Sequence, residues 1–164
     1  MIHGKRCDWG MYAKKHNPNA YDGEIIYVDI SSVSGEYKKI MEFNTIPSRT
    51  APSRARQKIQ DGDILVSTVR PNLNAVAVIE NKANNMIAST GFCVLRPNGE
   101  RLDGRFLFEL VKTPTFVLSM TRQAKGASYP AVSNKIVMDE LIQLPPLDVQ
   151  QKIADILDRT AAPH

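Results

Sequence analysis

The apolar residues fall first into short β-branched runs and then, in the second half of the chain, into helical periods. Glu24–Ile30 (EIIYVDI), Ile64–Val66, Val76–Ile79 and Gly91–Pro97 (GFCVLRP) read as strands, the second entered through an Asp61-Gly62-Asp63 turn. Beyond Asp103 the period lengthens. Phe106, Leu107, Leu110 and Val111 share one helical face; Thr113 as N-cap and Pro114 at the first helical position then open a second helix carrying Phe116, Val117 and Met120. A glycine-punctuated loop, Lys125–Lys135 (KGASYPAVSNK), leads into the apolar run Glu140–Leu147 (ELIQLPPL). Pro145 and Pro146 stop that run, and Asp148 as N-cap with Gln151 three residues on starts a last helix. Its apolar stripe is Val149, Ile153, Ile156 and Leu157, with Lys152, Asp155, Asp158 and Arg159 facing away. Strands followed by helices predict an α+β domain: a twisted mixed or antiparallel sheet, a helix pair packed on it, and a C-terminal helix.

One feature does not fit a simple hairpin. The strands at Ile64–Val66 and Val76–Ile79 are joined by STVRPNLN, which is polar, carries an arginine, lacks an Asn-Gly or Asp-Gly signal and is longer than a tight turn requires.

Composition excludes several classes. At 164 residues, 43% hydrophobic and 23% charged, the chain is long enough to bury one core. No apolar run approaches the ~18 residues of a membrane span, and MIHGKRCDWG lacks the apolar core of a secretory signal. A soluble, cytoplasmic protein without membrane association is expected, with Cys7 and Cys93 as free thiols. Phosphate-cradling glycine loops and zinc-helix motifs are absent, so no cofactor, metal or catalytic residue is expected. His3, His16 and His164 lie near the termini and read as solvated surface residues. A nuclease-like fragment, Glu36-Tyr37-Lys38 with Asp22 and Asp29 upstream, suits a Mg²⁺-dependent nuclease, but an acid-x-Lys triplet arises by chance about once in a chain of this composition.

Charge is unevenly spread. Residues 1–135 hold 19 Lys/Arg against 12 Asp/Glu, and residues 136–164 hold 2 against 5. The segment Lys38–Lys58 has six basic residues and one acid, Glu42; Val111–Ile136 has four bases and no acid. Basic clusters interspersed with Ser, Thr and Asn are either a phosphate-contacting surface or a solvated face without a partner.

Four stretches, STVRPNLNAVAVI, ASTGFCVLRP, GASYPAVS and especially IQLPPLDVQQKIADILD, resemble a target recognition domain of the specificity subunit of type I restriction-modification enzymes, in order from about Gly23 to Asp158. The resemblance implies a non-catalytic reader of one half of a bipartite site in double-stranded DNA. Its partners would be methyltransferase subunits and, through them, the restriction subunit of an adenine-methylating and cleaving complex. It also implies two such domains per subunit, separated by long helices. Residues 1–147 are then the recognition domain, and residues 148–164 the start of a spacer or dimerisation helix cut short at TAAPH. A half-subunit or fragment, mainly monomeric with weak pairing through Val149, Ile153, Ile156 and Leu157, is expected.

The residue chemistry is compatible with DNA reading. In a major groove Arg70 suits guanine O6 and N7, and Asn72 and Asn74 suit adenine N6 and N7. Ser67 and Thr68 suit phosphates or a base edge, and Pro71 stiffens the loop. Alternatively Arg70 caps a carboxylate and the asparagines only turn the chain. Arg49, Arg54, Arg56 and Lys58 suit phosphate clamping. In the later loop Lys125 and Lys135 supply charge, Gly126 close backbone approach, and Ser128, Tyr129 and Asn134 hydrogen bonds, unless Tyr129 is a loop anchor packed on the core. A protein-interaction module with an incidental basic surface is the alternative function, and a small Mg²⁺ nuclease a third.

Overall fold

The computed structural model describes residues 2–6, 15–17 and 21–160. Its elements are β1 (Ile2–Arg6), β2 (Glu24–Val28), β3 (Val33–Ser34), β4 (Lys39–Ile40), β5 (Asn44–Pro47), β6 (Ala55–Lys58), β7 (Ile64–Ser67), β8 (Val76–Val78), β9 (Met86–Ser89), β10 (Phe92–Leu95), α1 (Gly104–Val111), α2 (Pro114–Gln123), α3 (Asn134–Met138), β11 (Leu141–Leu144) and α4 (Leu147–Thr160). Most strands precede the helices, with β11 falling between α3 and α4, and the architecture is α+β.

Two sheets carry the core. An antiparallel sheet of order β10-β7-β8 lies beside a mixed sheet of order β5-β2-β9-β6, in which β2 and β9 run parallel. Along β7 the side chains alternate between two apolar clusters. Ile64 and Val66 join Leu107, Val111, Phe116 and Met120 of α1 and α2; Leu65 joins Val28, Met86 and Ala88 of the mixed sheet. Burial on both faces explains why this strand reads as an unbroken apolar run rather than an alternation.

The helix signals act where they stand. The Asp103 carboxylate accepts from Phe106 N at 3.0 Å to cap α1, and Thr113 Oγ1 accepts from Phe116 N at 3.3 Å to cap α2, with Pro114 at its first position. The last helix differs from expectation. It begins at Leu147, so Asp148 lies in its first turn rather than at the cap, where a carboxylate still complements the dipole. The anchor is Gln150 rather than Gln151: fully buried, it accepts from Asp103 N at 2.8 Å and donates to the carbonyls of Arg101 (3.0 Å) and Pro145 (2.8 Å). Asp155 and Asp158, expected to face away, receive Arg105 at 2.7 and 3.0 Å. Gln150 and Ala154 form the buried side of α4; Ile153 is half-buried, and Val149, Ile156 and Leu157 are exposed.

Other expectations need correction. The first strand ends at Val28, not Ile30, because the Asp29 carboxylate accepts from Ile30 N at 2.9 Å and starts a 3-10 turn over Ile30–Ser32. Strands β1, β3, β4, β5, β6 and β9 and the short helix α3 carry no signal in the sequence pattern. His16 is buried, not solvated: its Nε2 lies 2.8 Å from Ser48 Oγ, and burial, with Lys58 and Arg56 nearby, holds the imidazole below its ordinary pKa. The Cys93 thiol is buried, which pushes its pKa up to about 12 and disfavours the thiolate. Cys7, His164 and the side chain of His3 lie outside the described residues. Among the described residues no helix is long and apolar enough to cross a membrane.

Candidate nucleic-acid interface

The long β7–β8 connection is a fastened structure. Where β7 ends, the buried Ser67 hydroxyl donates to the Val69 carbonyl at 2.8 Å, and Thr68 sends both its N–H and its hydroxyl to the Gly91 carbonyl, each at 2.9 Å. The backbone then zips against the later loop, with Val132 N donating to Thr68 O at 2.9 Å and Arg70 N to Pro130 O at 2.7 Å. That loop is itself closed by reciprocal Lys125–Ala131 bonds of 3.0 Å. Gly126 sits at φ 113° beneath the Tyr129 carbonyl, a place where a Cβ would collide. Two segments some sixty residues apart in sequence thus form one rigid rim.

On this rim the Arg70 guanidinium lies 4.6 Å from the centroid of the Tyr129 ring and contacts the Ser128 carbonyl at 3.4 Å. Both side chains are exposed, Tyr129 to 69%, so Tyr129 is not a core anchor. A guanidinium stacked on an aromatic face is held in orientation while its outer N–H groups remain available. Below the pair opens a cleft of about 850 Å³ bordered by Asp29, Gly35, Arg54, Arg70, Leu73 and Tyr129. Its lining includes the cations Arg54 and Arg70 and the Tyr129 ring, groups that can engage phosphate and base edges, together with the Asp29 carboxylate.

The remaining expected site residues divide. Asn72 is exposed on the 3-10 turn Pro71–Leu73. Asn74 is only 8% exposed, and its Nδ2 donates to the Val111 carbonyl at the end of α1 at 3.0 Å, so it fastens the turn and has no face for a base. Ser67 and Thr68 are likewise buried with their hydroxyls committed internally. Arg49 pairs with Asp22 at 3.2 Å, and Lys135 pairs with Asp139, so both carry part-neutralised charge. Arg56 is half-buried with its Nε donating to Ser53 O at 3.0 Å. It shares a second cavity, of about 720 Å³, with Lys15, Thr90 and Asn134, and Lys58 borders a third of about 410 Å³ with Lys15 and Asn85. Lys125 and Ser128 are exposed beside Tyr129. The cleft therefore gathers Arg54, Arg70 and Tyr129, while Arg56, Lys58 and Asn134 belong to a separate basic region around Lys15.

The nuclease-like fragment is spent on structure. Asp22 pairs with Arg49, Asp29 caps a turn, and the Lys38 amine donates to the Asn74 carbonyl at 2.9 Å, its pKa lowered by burial and by Lys112. Among the described residues no three His, Cys, Asp or Glu side chains gather to hold a metal ion. Sequence reasoning missed Gly35 and Lys38 as parts of the site's framework. The Ser34-Gly35 pair between two short polar-apolar segments was the available turn signal.

Comparison with known proteins is consistent with this geometry. Residues 10–162 match the family model described as "Type I restriction modification DNA specificity domain". The HindI specificity subunit of a type I restriction enzyme from Haemophilus influenzae is 26% identical over 161 residues, an alignment covering 92% of this chain and 34% of that protein. The crystal structure of the HsdS subunit from Thermoanaerobacter tengcongensis superposes with a TM-score of 0.81 at 34% identity, covering 91% of this chain and 39% of that one. A second structure, from work on assembly and conformational transition of the type I R-M system, gives 0.80 at 34% identity over 91% and 40%. The chain spans between a third and two fifths of the length of these relatives. On the extent of the family match, this chain belongs to the type I restriction modification DNA specificity domain family.

Proposed function

We propose that this chain reads sequence in double-stranded DNA as a non-catalytic recognition domain of a type I restriction-modification specificity subunit, contributing one half of a bipartite site. The observation that carries the reading is the exposed Arg70–Tyr129 stack, held on a rim whose backbone is bonded at both ends and set over a cleft that Arg54 also borders. Rigidity of this kind lowers the ordering cost of binding. In this division of labour Arg70 and Asn72 read base edges, Arg54 and Lys125 contact phosphates, and Tyr129 orients the guanidinium. The separate basic region at Arg56, Lys58 and Asn134 extends the phosphate track.

The exposed side of α4 supplies the second half of the proposal. Val149, Ile156 and Leu157 present an apolar surface that α1 does not cover, beside the half-buried Ile153. That face suits a partner helix, and methyltransferase subunits are the proposed partners, with the restriction subunit joining through them. Weak self-association through the same stripe is the accompanying expectation.

Duplex binding measured across a salt series tests the DNA reading. Phosphate neutralisation releases counterions, so log K should fall with log salt by about 0.9 for each phosphate contacted. Binding that is absent at low salt, or that shows no salt slope, contradicts the proposal and favours a protein-interaction module.

A further inference from the structure

Among the described residues three non-glycine positions adopt the left-handed backbone: Lys38 (φ 54°), Arg70 (φ 46°) and Asn74 (φ 48°). All three converge on one turn. Arg70 and Asn74 flank Pro71–Leu73, and the Lys38 amine reaches across to the Asn74 carbonyl at 2.9 Å. Left-handed conformations are costly for residues with a Cβ and persist where the surroundings over-determine them, which concentrates them at ligand-gripping sites.

Here the surroundings come from three directions. Arg70 N is bonded to Pro130 O on the later loop, and Asn74 Nδ2 to Val111 O on α1. From the third side the β3–β4 hairpin brings the Gly35 backbone so close to the Leu73 carbonyl that a Cβ at Gly35 would collide with it. Pro71 is buried beneath the turn, so what the turn holds outward is Asn72 and Leu73.

Leu73 is 56% exposed and borders the cation-lined cleft. A single leucine on a mobile surface loop needs no explanation. A leucine at the apex of a strained turn fastened on three sides, next to an arginine and an asparagine suited to base edges, is a positioned apolar group. On the major-groove edge of a base pair the apolar feature is the thymine C5-methyl.

We infer that Leu73 is a specificity-determining residue that packs against a thymine C5-methyl group in the major groove; the inference rests on the DNA reading proposed above. It adds an apolar element to a site otherwise described by charge and hydrogen bonds. It also accounts for the strain, because a displacement of about an ångström forfeits up to half of a methyl contact's attraction, whereas a charge–phosphate contact falls off more slowly with distance.

The test is a randomised-duplex selection on the chain and on Leu73→Ala, followed by binding to duplexes in which one thymine is replaced by uracil. The wild-type chain should require thymine at one position, and that position alone should relax in Leu73→Ala. Uracil there should weaken wild-type binding by about fourfold, the worth of one buried methyl, and leave Leu73→Ala unaffected. An unaltered selection profile, relaxation at a position without thymine, an equal response of both proteins to uracil, or a loss of affinity spread over all duplexes would overturn the inference while the DNA reading stands. Absence of any sequence preference in the wild-type chain overturns both.

Discussion

The β7–β8 pair has two ends built to opposite standards. At one, Gly62 takes the positive φ of 87° that glycine allows, and Asp63, fully buried, receives Arg96 in a two-pronged contact of 2.7 and 2.9 Å while accepting from Gln60 N. The Asp63 hydrogen bonds raise the Arg96 pKa above its ordinary value. At the other end, positions of positive φ are occupied by Arg70 and Asn74 rather than glycine, and the turn exposes an arginine and a leucine. The first end favours stability in every choice. The second gives up stability to hold particular side chains outward, as the proposed binding role requires.

The largest expected effect is at the stable end. Asp63→Ala leaves the half-buried Arg96 guanidinium and Gln60 N without their partner and should lower the unfolding free energy by about 2–3 kcal/mol, read from urea denaturation; a loss below about 1 kcal/mol would make the two ends energetically alike. The opposite sign is expected at the other end. Arg70→Gly relieves left-handed strain of about 1–2 kcal/mol, less what glycine adds to the entropy of the unfolded chain. Because the Tyr129 stack is lost as well, a gain of no more than about 0.5 kcal/mol in the same assay should accompany weakened duplex binding. If this variant is destabilised, the turn is structural and the contrast fails. The smallest effect belongs to Arg54→Ala, which should weaken binding to all duplexes alike and reduce the salt slope by about one. A sequence-dependent loss would move Arg54 from phosphate contact to base reading.

What was legible in the sequence was local. The two helices announced themselves through Thr113-Pro114 and the 3.6-residue period, and the strands flanking the loop through their β-branched runs. Strand β9 was not legible, since its four residues follow a polar asparagine-rich segment and owe their burial to parallel pairing with β2, some sixty residues earlier. Arg70, Asn72 and Tyr129 were recognisable as candidates by residue type, but not the stack that orients Arg70. Asn74 looked equivalent to Asn72 and is not, because the αL turn swings its amide under α1. Arg49 looked like Arg54 until folding placed Asp22 beside it. The burial of His16 has no local signal, because the bridge between Lys15 and Gln57 beside it joins distant segments. Pairings set by long-range contacts carry no local pattern, and most of the site's division of labour is of that kind.

Whether the strained turn reads DNA sequence is decided by a randomised-duplex selection on the chain compared with the same selection on Arg70→Ala. A bidentate arginine–guanine contact carries about 1–3 kcal/mol of discrimination, so the wild-type profile should contain a guanine position that relaxes in Arg70→Ala while the other positions keep their preference. An identical profile from the two proteins would contradict the account and remove base reading from the β7–β8 turn.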